Sequence, residues 1–170
     1  AWVNDGGVRV PCFIRWKGRI PEDRVLEAMS AHIDLLPTLC SLMEVDFKPA
    51  RELHGLDLSP YILGGAYTPG GELPQANDPQ QSTDSPPGGN LPPDRFLFTH
   101  QHNSSSALPW PGAVRTNEWR LCFKQEAELT RRSDFREEND LSATYPGIAD
   151  SLTQVYMDWY ATVGDVKGRP

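Results

Sequence analysis

His100 and His102 stand two residues apart at the end of the apolar run Arg95-Phe96-Leu97-Phe98-Thr99-His100. If that run is a strand, both imidazoles project from one face at its end, a place where ligand-contacting groups often sit. Imidazole can ligate a metal, move a proton near neutral pH or hydrogen-bond a polar ligand. A metal pair would need further donors, and neither a third nearby histidine nor a suitably spaced carboxylate follows. Two readings remain, polar contact with a bound ligand and a solvent-facing polar loop. Asn103, Ser104-Ser105-Ser106 and Trp110 share that loop. The serines sit in no Gly-x-Ser-x-Gly elbow, and the chain has no glycine-rich phosphate loop and no His-Glu-x-x-His helix. Cys12, Cys40 and Cys122 are odd in number, far apart and set among apolar neighbours. They fit neither a zinc pattern nor a disulfide framework, so buried free thiols are expected.

A second candidate is Asp5-Gly6-Gly7-Val8-Arg9-Val10-Pro11, running into Cys12-Phe13-Ile14-Arg15-Trp16. Paired glycines permit positive φ and a tight turn, and the apolar run after them reads as a buried strand. A guanidinium at that junction needs an anion, and Asp5 is the nearest partner for Arg9. The segment is then either a turn locked by a local ion pair or a rigid loop shaping the floor of a site.

The elements that would position these groups follow from periodicity. After a polar turn at Lys17 to Asp23, Val25 to Ser30 can form a short strand. Ile33, Leu36, Leu39/Cys40 and Met43 recur at helical spacing, and Pro37 is tolerated if that helix begins near Asp34. Asp34 then reads as an N-cap whose carboxylate accepts from free N–H groups; its other reading is a catalytic carboxylate. A short helical piece is expected near Ser59. Residues 65–94 are rich in Pro, Gly, Gln, Asn, Ser and Asp, and read as a flexible insertion within one fold. Beyond the strand ending at His100, Ala113–Thr116 and Trp119–Phe123 form a hairpin turning at Asn117-Glu118, with Trp119, Leu121 and Phe123 on the buried face. A polar stretch precedes a final helix opened by Pro146, with Ile148, Leu152, Val155, Trp159 and Val163 as its stripe. Strands followed by a covering helix give an α+β fold, a small antiparallel sheet packed against helices.

Composition narrows the partners. The 170 residues include 14 glycines and 16 prolines, which argues for long loops, and the net charge is −7. No Lys/Arg run exists, so a nucleic-acid partner is not expected. No apolar stretch reaches membrane-spanning length. A start at Ala1 without methionine suggests a fragment or processed product of one domain.

Five segments, in order, resemble the sulfatases, the arylsulfatase-like branch of the alkaline-phosphatase superfamily. Asp5 to Pro11 is similar to the family's Glu-Gly-Gly-x-Arg-x-Pro signature, and Trp16-Lys17-Gly18 to the turn after it. His32-Ile33-Asp34-Leu35-Leu36-Pro37-Thr38-Leu39 resembles its Asp-Leu-x-Pro-Thr helix start. Leu53 to Pro60 resembles the next turn, Ala113-Val114-Arg115-Thr116-Asn117-Glu118-Trp119-Arg120-Leu121 its Ala-Val-Arg-Thr-Gly-x-Trp-Lys-Leu hairpin, and Glu128 to Leu141 its closing segment. The departures are Asp5 for the usual Glu, Thr130-Arg131 for Tyr-Asp, and the 65–94 insertion.

The resemblance implies sulfate-ester hydrolysis by a formylglycine nucleophile with calcium. It places this chain in the C-terminal portion, where no catalytic residue or metal ligand is expected. The nucleophile motif, the calcium carboxylates and a sulfate-gripping lysine would belong to an N-terminal catalytic half, the implied partner. His100, His102 and Asn103 would contact the alcohol of a sulfated small molecule or saccharide. Asp5, Gly6, Gly7 and Arg9 would support the site without touching substrate. A periplasmic, lysosomal or extracellular location is implied. Two other readings stand beside it: a non-catalytic glycan-binding module using the His100–Trp110 loop, and part of a related phosphoesterase or phosphonate hydrolase.

Overall fold

A computed structural model describes residues 3, 5–23, 25–26, 29–63, 95–101, 109, 111–124 and 126–163. The 65–94 insertion, His102, Asn103, the three loop serines and Trp110 lie outside the described residues. In chain order the elements are α1 (Asp5–Val8), a 3-10 turn (His32–Asp34), α2 (Leu35–Leu42), α3 (Ser59–Leu63), β1 (Leu97–His100), β2 (Gly112–Arg115), β3 (Trp119–Phe123), β4 (Ala127–Arg131) and α4 (Pro146–Val163). They fall into two compact units, Ala1–Pro11 with Pro93–Pro170, and Cys12–Pro92.

The first unit is the expected α+β arrangement. Its four strands form an antiparallel meander in the order β1-β2-β3-β4. The register places Phe98, Val114, Leu121 and Leu129 in one row across the sheet. Helix α4 covers that row with Ala149, Leu152 and Tyr156, making the main core. Phe98 stacks flat on Trp159, with ring centroids 4.6 Å apart and planes 3° apart. Of the expected helical stripe, Leu152 is buried and Ile148, Val155 and Trp159 pack at its edge, while Val163 is exposed. The residue at the centre is Tyr156, fully buried, which the stripe omitted.

Two strand expectations change. β3 was expected to bury one face, yet Trp119, Arg120, Leu121 and Cys122 are all buried. It is a central strand with α4 on one side and an ionic layer on the other. β4 lies inside the polar stretch left without an element, because Glu128 and Thr130 interrupt its apolar residues. The hairpin turn is closed by Thr116, whose Oγ1 accepts from the Trp119 N–H at 2.9 Å, and Asn117 has no positive φ.

In the second unit Asp34 is almost wholly buried, but it does not cap α2 with its side chain. Its carboxylate reaches backward and sideways instead, accepting from the Ala31 N–H at 2.7 Å and the Leu56 N–H at 2.8 Å. Thr38 Oγ1 accepts from the Leu58 N–H at 2.9 Å, and the Ser41 and Ser59 hydroxyls are 3.0 Å apart. The turn Leu56–Ser59 is thus clasped to the polar side of α2. Gly55 lets it approach: a Cβ there would lie 2.0 Å from the Ile33 carbonyl oxygen. Asp34→Ala leaves two amide N–H groups without acceptors, and should lower stability by about 2 kcal/mol. Chemical denaturation would read this as a lower midpoint at unchanged slope, and an unmoved midpoint would show that the clasp contributes nothing.

Cys12 to Trp16, expected as a buried strand, is irregular and exposed, with Phe13 92% accessible. An apolar β-branched run becomes a strand only when a neighbour supplies a ladder, and none pairs with it among the described residues. The described part of Val25 to Ser30 is irregular as well. Cys12 is therefore exposed and Cys40 partly so; only Cys122 is the buried thiol expected.

Candidate functional site

The face of the sheet away from α4 carries charge. Arg115 on β2 and Arg120 on β3 are direct cross-strand partners, an arrangement in which like charges repel. Asp5 resolves the repulsion. Its Oδ2 accepts from Arg120 at 2.5 Å, and its Oδ1 is 3.7 Å from Arg115 Nε. Glu137 adds a second anion, with Oε1 3.4 Å from Arg120 and accepting the Asp5 N–H at 2.6 Å. Arg120 also donates to Thr130 Oγ1 at 3.2 Å and to the Asp134 carbonyl at 3.4 Å. Arg115 donates to Thr99 Oγ1 at 2.9 Å and to the Val3 carbonyl. The side chain of Arg120 is 2% exposed and that of Glu137 6%. Burial lowers the Arg115 pKa, against the opposing pull of Cys122 and Asp5.

This clamp corrects the expected local pair. Asp5 is bound by arginines more than a hundred residues away, while Arg9 lays its guanidinium over the Phe135 ring, 4.2 Å from the centroid. Gly6 and Gly7 are not at positive φ; they sit inside the one-turn helix α1. Two glycines give a helix little intrinsic stability, so its anchorage comes from Asp5. The left-handed residue of the site is Glu137, φ +56°, whose strained backbone is held by the bonds its carboxylate makes.

Cys122 faces the same layer. Burial pushes its thiol up to about 11, helped by Glu137. A thiol raised in the folded chain keeps its proton while the unfolded chain, with the ordinary value of 9.0, loses it. Its contribution is therefore intact below pH 9 and is lost as pH rises through 11, by roughly 2–3 kcal/mol in all. Stability measured from pH 8 to 11 should fall, and Cys122→Ala should flatten the curve. An identical slope in both chains would show that Cys122 does not titrate this way.

His100 belongs to the joint between sheet and helix. Its Nδ1 is 3.1 Å from the Tyr156 hydroxyl, which donates to the Pro109 carbonyl at 2.5 Å. With the tyrosine proton committed there, Nδ1 is the donor, which fixes the tautomer. The ring also packs against Tyr160 with centroids 5.1 Å apart. Gly112, the cross-strand partner of His100, leaves room for Tyr156. The structure therefore brings Asp5 together with Arg115, Arg120 and Glu137, and places His100 on the other side of the sheet. Sequence reading missed Arg120, Glu137 and Tyr156. For Arg120 the signal was present: two arginines facing across a hairpin rung demand anions.

An open recess of about 300 Å³ is lined by Arg131, Ser133, Asp134, Asn139 and Leu141. Three of its polar side chains, Asp134, Asn139 and Arg131, already have partners. Asp134 accepts from the Asn139 N–H at 3.0 Å and Nδ2 at 3.2 Å, bonds that lower its pKa. Arg131 pairs with Glu118 and lies 3.8 Å over the Trp119 ring. Among the described residues no three His, Cys, Asp or Glu side chains converge to hold a metal. No described helix is long and apolar enough to cross a membrane.

No family model matches the chain. Individual proteins do. N-acetylgalactosamine-6-sulfatase of Canis lupus familiaris is 41% identical over 64 residues, 38% of this chain and 12% of the relative. Steryl-sulfatase of Mus musculus is 36% identical over 62 residues, 36% of this chain and 10% of that protein. Arylsulfatase A of Bos taurus is 40% identical over 65 residues, 38% and 12% respectively. The matched part of the chain thus spans about a tenth of the length of these relatives, and their shared similarity is to one enzyme family, the sulfatases.

Proposed function

We propose that this chain is the C-terminal part of a sulfatase, completing the fold of an enzyme that hydrolyses aryl or carbohydrate sulfate esters. The observation that carries the reading is the similarity to three differently named sulfatases at 36–41% identity over 62–65 residues. The ordered motif resemblance, from Asp5 through Leu141, supports it along the rest of the chain.

In this reading the nucleophile, the calcium ligands and the sulfate-gripping lysine come from a catalytic half outside these 170 residues. Calcium bound there would neutralise sulfate oxygens. This chain's own contribution is positioning. The Asp5–Arg120–Glu137 clamp fixes the Asp5-Gly6-Gly7 segment to a rigid sheet, and Arg9 is held on Phe135, so these residues form a foundation for the groups before them. His100, its ring oriented by Tyr156, would stand at the pocket rim with His102 and Asn103 and contact the leaving alcohol. The enzyme would work in a periplasmic, lysosomal or extracellular compartment.

The test is sulfate release from an aryl sulfate, measured for the 170-residue chain and for the longest product its gene encodes. The expected result is no turnover by the chain and calcium-dependent turnover by the longer product. Preferential cleavage of a phosphate ester or phosphonate would replace this reading with the related hydrolase. Binding of sulfated saccharides by the chain without hydrolysis by either product would replace it with a glycan-binding module.

A further inference from the structure

Helix α2 is turned the wrong way for a surface helix. A helix on a solvated surface buries its apolar stripe and shows its polar residues. Here the polar side points inward, with Asp34, Thr38 and Ser41 bonded to the Leu56–Ser59 turn. The apolar stripe points out, and Leu36, Leu39 and Met43 are 46%, 43% and 58% accessible. No residue of α2 is charged. Beyond it Val45 and Phe47 are also exposed, but they alternate with the exposed charges of Glu44, Asp46 and Lys48, so the uncharged surface is that of the helix stripe itself. Among the described residues, the unit's buried core cluster is Leu42, Ile62 and Leu63, with Ile20, Leu26 and Leu58 packed against it.

We propose that the outward stripe of α2 is a docking surface, and that its occupant is the remaining polypeptide of the longer sulfatase, packed against it within one chain. The inference rests on the functional reading above. Exposed contiguous apolar surface marks an interaction site, and its chemistry selects the kind. Transient partners use mixed surfaces with charged rims. A stripe without any charge resembles half of a protein core, the hallmark of a permanent interface. The relatives say where such a permanent partner would come from. The 64 matched residues make up 12% of the first of them, so most of such a polypeptide lies outside the matched segment. Covalent linkage would hold it at high effective concentration.

Cys40 lies on this stripe and reports on it. In a Cys12→Ser background, with Cys122 buried, alkylation of native protein is read at the Cys40 peptide by mass spectrometry, apart from any cysteine of the longer product. The thiol should react about tenfold more slowly in the gene's longest product than in the 170-residue chain. Leu36→Glu with Leu39→Glu, or Met43→Lys alone, should restore fast alkylation in the longer product without shifting the melting temperature of the 170-residue chain. Equal rates in both products would show that the stripe is ordinary surface. Protection in the 170-residue chain, with a dimeric mass in light scattering, would assign the stripe to a second copy. A gene product with no further polypeptide would end the proposal too. A longer product that protects Cys40 but hydrolyses no sulfate ester leaves the docking in place and removes only the sulfatase reading.

Discussion

Arg120→Met is expected to cost about 3–5 kcal/mol and to lower the melting temperature by roughly 10 °C. The side chain is 2% exposed and serves Asp5, Glu137, Thr130 and the Asp134 carbonyl at once. Methionine fills much of the volume but leaves the Glu137 carboxylate without its cation and Asp5 with Arg115 alone. The loss is therefore that of uncompensated buried charge, which exceeds the net worth of the pair itself. The diagnosis has its own control. Adding Asp5→Asn to Arg120→Met removes one of the stranded charges, so the double variant should melt above the single one. Limited proteolysis should meanwhile cut near Asp5 to Val8 faster in the single variant, because that one-turn helix has lost its anchor. An Arg120→Met chain that melts like the parent would show that solvent reaches the clamp and screens it.

Gly112→Ala should be comparably damaging, for a steric reason. A Cβ at that position would lie 1.8 Å from the Tyr156 hydroxyl oxygen and 2.4 Å from its Cζ. Tyr156 cannot swing aside freely. It is fully buried, its hydroxyl is held between His100 and Pro109, and its ring packs 4.6 Å from that of Phe123. Either α4 lifts off the sheet or the tyrosine leaves its site, at a cost of about 3 kcal/mol. Tyr156→Phe should not rescue the variant, since Cζ remains in the way. Tyr156→Leu shortens the side chain, so its own cost and that of Gly112→Ala should overlap instead of adding. Thermal denaturation of the four chains checks this, and strictly additive losses would show that the two positions do not meet.

Three strands of the sheet, the hairpin and the closing helix were legible because they depend on local patterns, whereas β4 was hidden by its polar residues. Alternation around Trp119 and Leu121 marks β3, and Pro146 opens a long stripe. The misreadings share a physical origin, which is that burial is decided by partners remote in sequence. Phe13 and Ile14 look like strand residues, yet no described neighbour pairs with them. Leu36 and Leu39 have the spacing of a core stripe, yet the hydrogen bonds of Asp34 and Thr38 turn that stripe outward. Arg9 and Asp5 are neighbours of opposite sign, but the buried guanidinium of Arg120 competes better for the carboxylate than a solvated one nearby in the chain. His100 was read correctly as the end of a strand; its bond to Tyr156 lies 56 residues along the chain and leaves no local trace.

The clamp also sets a timetable for biosynthesis. Asp5 is made 115 residues before Arg120 and 132 before Glu137. At ribosomal speeds the segment waits roughly 6–25 s for its anchors. The meander needs no such delay, since each strand pairs with the one just made and hairpins close in microseconds. The nascent chain therefore completes its sheet from local pieces, and the Asp-Gly-Gly segment is recruited after the sheet although it is translated before it. Through that interval its two glycines and single carboxylate are open to nascent-chain chaperones and proteases.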